Sequence, residues 1–234
     1  MIYWGTCIVI IMVASELWIG ADSRIVAISR AVGDGPTTCK IYALGNLYYV
    51  NAGLLKDTAG RFDAAAVARE VSVHATSVSG AAADFEAAIV PPLKNIVLEL
   101  RGENPDYFGA RLLGKTALAV AFLGIEEGTP KLEVRRFVVR EERGELAVTI
   151  ERLSCPGDCQ DRMTWAFLGE AAEVNRFLDE NPGYLGRNGF RKTLQTLIAH
   201  QAAATPQYVS LPVDILRITT RGFEWIQRKN ECGA

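Results

Sequence analysis

Four short stretches hold residue types that could work together: Gly5-Thr6-Cys7, Ala21-Asp22-Ser23-Arg24, Lys40 and Ala52-Gly53. A threonine hydroxyl is a poor nucleophile unless a base takes its proton. An α-amino group titrates at about 7.7–8.0, so a threonine exposed at a chain end carries a matched base within its own residue. A nearby lysine cation would depress the pKa of both groups, and a carboxylate beside that lysine would keep it charged and aimed. Asp22 and Lys40 suit those roles, with Arg24 in support. Gly53 has no Cβ, so its backbone N–H can approach a developing oxyanion closely. Asp22 and Lys40 follow Thr6 by 16 and 34 positions, so only paired strands can bring the three together.

Other reactive types are sparse. Cys7 could act as a nucleophile only after a cut between Thr6 and Cys7, and a small buried hydrophobe is its plainer role. The remaining cysteines are Cys39, Cys155, Cys159 and Cys232; an odd total in 234 residues does not suggest a disulfide framework. Cys155-Pro-Gly-Asp-Cys159 reads as a polar turn, because no second Cys/His pair lies nearby to complete a metal site. His74 falls on the apolar face of an expected helix and reads as a core or interface residue. His200 sits near the end of another, where a cation suits the helix dipole. Trp18, Trp165 and Trp225 read as core or subunit-contact aromatics.

Composition bounds the partners. Hydrophobic residues are 49%, charged residues 22% and the net charge −2, which is ordinary for a globular chain. With no basic cluster, nucleic acid is not an expected partner. The apolar run Cys7–Ala14 lacks the positive start of a signal peptide and is far shorter than the about 20 residues of a spanning helix. No membrane partner is expected, and the expected location is cytoplasmic.

Periodicity gives the elements that must position the chemistry. Cys7–Val13 is Val/Ile-rich and reads as a buried strand, with Leu17–Ala21 completing a hairpin. Ala31–Pro36 is a loop. Cys39–Leu44 and Leu47–Asn51 are short strands about a Gly45-Asn46 turn. Phe62–Ser77 reads as a helix with Val67, Val71, His74 and Val78 on one face. A second helix over about Gly80–Leu100 carries Phe85, Ile89, Leu93, Ile96, Val97 and Leu100, with Pro91-Pro92 expected to kink or restart it. After a loop at Gly102–Pro105 come strands at Thr116–Gly124, Lys131–Arg140, Leu146–Leu153 and Arg162–Phe167. Helices follow at about Glu170–Glu180 and Gly189–Ala204, then strands at Val213–Thr219 and Gly222–Arg228. Grouped strands and paired helices argue for an α+β fold, antiparallel sheets with helices outside, in a single domain over residues 1–234.

In this order, the residues of the first paragraph resemble the β-type subunits of the proteasome, in the N-terminal nucleophile (Ntn) hydrolase superfamily. Gly5-Thr6 opens a strand, Ala21-Asp22-Ser23-Arg24 ends the hairpin, Lys40 lies one hairpin later and Ala52-Gly53 closes a strand. The helix pair after Gly53 and the closing Pro212–Phe223 stretch fit more weakly. The resemblance implies a four-layer αββα sandwich. It implies autocatalytic cleavage of the Gly5–Thr6 bond, which makes Met1–Gly5 a short propeptide and Thr6 the nucleophile of a threonine-type endopeptidase. Asp22, Lys40 and Arg24 would surround it, Gly53 would supply the oxyanion hole, and no metal or cofactor would be needed. The partners it implies are peptide or unfolded-protein substrates and further copies of the chain in a homo-oligomer, such as a ring built through the helices after Gly53.

Two stretches depart from the family pattern. Leu168 stands where the family places a serine before a glycine. Ala203–Ser210 lacks the family's aspartate, with Thr205 and Ser210 as the available hydroxyls. Two other expectations therefore stand beside the peptidase: a degenerate subunit that assembles without cleaving, and an Ntn amidase acting on a small amide.

Overall fold

The structure is a computed structural model that describes residues 2–5, 7–28, 38–159 and 163–232, apart from the side chains of 185, 186 and 231. Thr6, the loop expected at Ala31–Pro36 and the Arg162 start of one expected strand lie outside the described residues.

The first half runs β1 (Ile2–Gly5), β2 (Cys7–Val13), β3 (Glu16–Ala21), β4 (Ile25–Ala27), β5 (Ile41–Leu44), β6 (Leu47–Asp57), α1 (Ala64–Ser72), α2 (Val78–Glu103) and α3 (Pro105–Tyr107), then a π-turn at Phe108–Leu112. The second half runs β7 (Thr116–Glu126), β8 (Thr129–Glu142), β9 (Glu145–Cys155), β10 (Met163–Gly169), α4 (Ala172–Glu180), α5 (Tyr184–Asn188), α6 (Phe190–Ala204), β11 (Asp214–Thr219) and β12 (Gly222–Gln227), before a final 3-10 turn. One antiparallel sheet has the order β4-β1-β6-β7-β8-β9, with β5 also on β6; the other is β10-β2-β3-β11-β12.

Strand alternation divides the apolar residues among three cores. Along β2, Ile8, Ile10 and Met12 enter a core shared with Tyr48, Val50, Ala119 and Ala121 of the larger sheet. The intervening Cys7, Val9 and Ile11 pack with Leu194, Leu197 and Ile198 of α6 and Val174 of α4. The third core joins Phe85, Ile89, Leu93 and Val97 of α2 to Tyr49, Phe122 and Phe137. A strand buried on both faces needs a continuous apolar run, which Cys7–Val13 supplies.

Five local expectations need correction. Ile2–Gly5 is a strand, not merely a leader, paired with β4 on one side and β6 on the other. α1 stops at Ser72, because Ser77 must leave helical geometry to cap α2, its hydroxyl accepting the Gly80 N–H at 2.9 Å. His74 therefore lies beyond the helix and is exposed, not packed in the core. α2 continues through Pro91-Pro92 without a restart. The residues one turn back, Ala87 and Ala88, are exposed, so carbonyls that lose a proline donor face water. The expected 102–105 loop is instead the end of α2 and the start of α3, with Asn104 capping at Tyr107 N–H, 3.1 Å away. Among the described residues, no helix is long and apolar enough to cross a membrane.

Candidate functional site

The chain passes from the larger sheet to the smaller between Gly5, the end of β1, and Cys7, the start of β2. Gly5 pairs with Gly53 of β6 and with Ile25 of β4. Cys7 pairs with Gly169 of β10. The predicted residues Asp22 and Lys40 gather at this crossover.

Asp22 and Lys40 are fully buried and form an ion pair through Asp22 Oδ1. The same oxygen accepts the backbone N–H of Cys7 at 3.0 Å, the amide immediately after Thr6. Oδ2 accepts the N–H groups of Arg24, at 2.9 Å, and Ser210, at 3.3 Å. The Asp22 N–H donates in return to the Cys7 carbonyl at 3.1 Å. Asp22 can do this because it stands where β3 ends: β3 pairs with β2 as far as Ala21, so the next side chain lies at the start of β2. Burial holds the Lys40 ammonium below the usual lysine value, against the opposing pull of Asp22, and the charge of Lys229 lowers it further.

Arg24 supports this site by its backbone more than its charge. Its guanidinium turns to the Pro206 carbonyl at 2.8 Å, in an exposed contact. Gly53 adopts φ +92°, and a Cβ there would stand 2.3 Å from the Ala117 carbonyl oxygen. Only glycine fits, on conformation and on space together. Cys7 is no thiolate: burial pushes its thiol well above the ordinary range, and the Asp22 carboxylate adds to the rise. Thr6 itself lies outside the described residues.

The two departures resolve differently. Leu168 is buried between the sheets opposite Ile8 and brings no polar group. Ser210 reaches the site through its backbone, giving its N–H to Asp22 and accepting the Ser23 N–H at 3.2 Å. Thr205 caps α6, its hydroxyl donating to the Gln201 carbonyl at 3.0 Å.

No protein-family model and no curated protein matches the chain. Among solved structures it is similar to Anbu (ancestral beta-subunit) from Yersinia bercovieri, with 16% identity and a TM-score of 0.49, over 96% of this chain and 88% of that one.

Several supports were not foreseen from the sequence. Ser23 donates its hydroxyl to the Pro212 carbonyl. Lys229, buried with Asp214 at 2.9 Å, donates to the Thr38 carbonyl at 2.8 Å. The expectation of no disulfide framework is corrected: Cys39 is bonded to Cys232, and Cys155 to Cys159. The first bond ties the C-terminal turn to the residue before Lys40. A separation of 193 residues leaves no spacing signature to read. The second closes the turn expected at Pro156-Gly157-Asp158, where Asp158 also accepts the Ser154 N–H at 2.8 Å.

A cavity of about 330 Å³ opens beside Gly53, with Trp4, Arg111, Arg136, Gly169 and Glu170 in its walls. A larger depression of about 710 Å³, among turn residues such as Gly45, Thr76 and Glu127, contains none of the candidate residues.

Proposed function

We propose that the chain is a proteasome-like, threonine-type peptidase of the Ntn kind, with Thr6 as its nucleophile once Met1–Gly5 is removed. The observation that carries this reading is the fully buried Asp22–Lys40 pair, fixed to the amide that follows Thr6. Burying two charges costs several kcal/mol per ion before their attraction is counted, and apolar residues of similar volume would usually serve the fold as well. A buried lysine with a lowered pKa beside a candidate nucleophile is an arrangement suited to chemistry.

The freed α-amine of Thr6 takes the proton of its own hydroxyl as the oxygen attacks a peptide carbonyl. That proton passes to the departing amine. The resulting ester is hydrolysed by water, which restores the hydroxyl. The Lys40 cation lowers the pKa of amine and hydroxyl, Asp22 holds Lys40, and the Gly53 N–H stabilises the oxyanion. Peptides are the substrate class that fits, because Ile2–Gly5 already lies as an extended peptide between β4 and β6 and ends at the candidate scissile bond.

In the same reading, the three cores are the interfaces of a four-layer αββα sandwich in one domain, and the working form is a homo-oligomer. The two disulfides favour an oxidising compartment over the cytoplasmic location the sequence suggested.

A second reading is a non-cleaving assembly subunit. It is favoured by Leu168, apolar and buried where the family has a serine, and by the two-sided pairing of β1, which makes the leader part of the sheet. Intact-mass measurement separates the two. Loss of Met1–Gly5, prevented by Thr6→Ala, supports the peptidase; retention in assembled protein supports the subunit.

A further inference from the structure

We propose that the cavity beside Gly53 is a subsite for a substrate carboxylate, held by Arg111, Lys115 and Arg136. This deepens the reading above and rests on it for the crossover being a peptide site.

Along β8, Leu132 and Val134 face the core between the sheets, while Phe137 and Val139 face the helices. Alternation puts Arg136 on the inter-sheet side, one step past Val134. A cation thus stands where the apolar core ends and the cavity begins. Its neighbour Arg135, on the other side, is matched by Glu133 at 2.9 Å and Glu86 at 3.2 Å. Arg136 has no such match. Its Nη2 makes a long contact to the Phe167 carbonyl at 3.4 Å, and among the described residues no carboxylate lies within ion-pair distance of it.

The other charges leave the cavity positive. Arg111 is 3.5 Å from Glu170 and lies over the Tyr208 ring at 4.6 Å, so one cation meets the single carboxylate. Lys115, exposed at the rim, donates to the Ala110 carbonyl. The cavity lining holds three cations and one carboxylate, a net positive balance in a concave, largely polar site; the exposed Glu151 lies opposite Arg136 on β9 but outside that lining. An arginine suits a carboxylate better than a lysine does, because its planar fork can donate two parallel hydrogen bonds. The carboxylate could belong to an acidic side chain next to the scissile bond or to the substrate's own chain end.

The test titrates the full purified chain with three small probes by calorimetry. N-acetylglutamate α-amide offers a side-chain carboxylate only, N-acetylglutamine an α-carboxylate only, and N-acetylglutamine α-amide neither. At least one acid is expected to bind about tenfold more tightly than the neutral probe, with Arg136→Gln reducing the ratio below about twofold and Arg136→Lys keeping an intermediate value. Which acid is preferred identifies the source. Lys115→Gln, on an exposed residue, should lower the ratio partly without risk to the fold. Equal binding of all three probes by the unaltered chain overturns the subsite. Matched peptides with Glu or Gln scanned through each position are followed in parallel. Acid-selective binding with no peptide cut leaves the subsite standing and defeats the peptidase. Cleavage with no acid preference, unchanged in Arg136→Gln, does the reverse.

Discussion

Asp22 offers two carboxylate oxygens, and among the described residues four donors reach them: the Lys40 ammonium and the amides of Cys7, Arg24 and Ser210. Replacing it with Asn keeps the volume but leaves Lys40 buried without its counter-charge. Asp22→Asn should therefore lower stability by about 3–5 kcal/mol in chemical denaturation, as breaking a buried pair does. The pH dependence follows from Lys40. Its folded pKa lies below that of the unfolded chain, so between the two values the native state holds fewer protons and the lysine's contribution to stability rises with pH. Activity goes the other way, because losing the proton removes the field on Thr6. Peptidase rates should rise as the α-amine deprotonates, at a pH below the about 7.7–8.0 of a free α-amine because the Lys40 cation lowers it, and fall at a pH below the ordinary lysine range. Lys40→Arg should push the alkaline fall to higher pH while lowering the maximum; an unmoved limb would remove Lys40 from the mechanism. That Asp22 and Lys40 meet, and that Gly53 lies beside Gly5, was legible because strand offsets decide which residues come together. Arg136 was not, since a lone arginine in a strand signals nothing until the facing sheet shows which side it borders.

Among the elements, the most informative is β1. Its four residues join the larger sheet, and the next described residue, Cys7, opens a strand of the smaller one. The run IYWG holds too few residues to show a strand period, so the sequence could mark it only as a leader. Longer elements were easier to read. The apolar positions Phe85, Ile89, Leu93, Ile96, Val97 and Leu100 all point into the core from α2. The proline pair does not restart the helix, and the carbonyls that lose a donor one turn back lie on an exposed stretch. Pro91 is itself exposed, so Pro91→Ala should stabilise the chain by about 1–3 kcal/mol, by restoring a donor and relieving the ring clash. Thermal unfolding would show it as a raised midpoint. A lowered midpoint would mean that the prolines hold a shape the sheet requires.

At the scale of the molecule, the Cys39–Cys232 bond closes nearly the whole chain into a loop and anchors its end beside Lys40. Loop-closure entropy predicts that Cys39→Ser with Cys232→Ser costs up to about 5 kcal/mol, against about 2 kcal/mol for Cys155→Ser with Cys159→Ser. Denaturant midpoints of the two double variants test that order. Three cores and two sheets serve to hold one crossover, with charges buried on one side of it and a peptide-like strand on the other. Whether that crossover is a working site turns on a single bond, Gly5–Thr6. The direct measurement is the intact mass of the purified full-length chain beside that of Thr6→Ala. Autocatalytic exposure of Thr6 predicts that the unaltered chain lacks Met1–Gly5 and that Thr6→Ala keeps them. An unaltered chain that retains those five residues after assembly would contradict it.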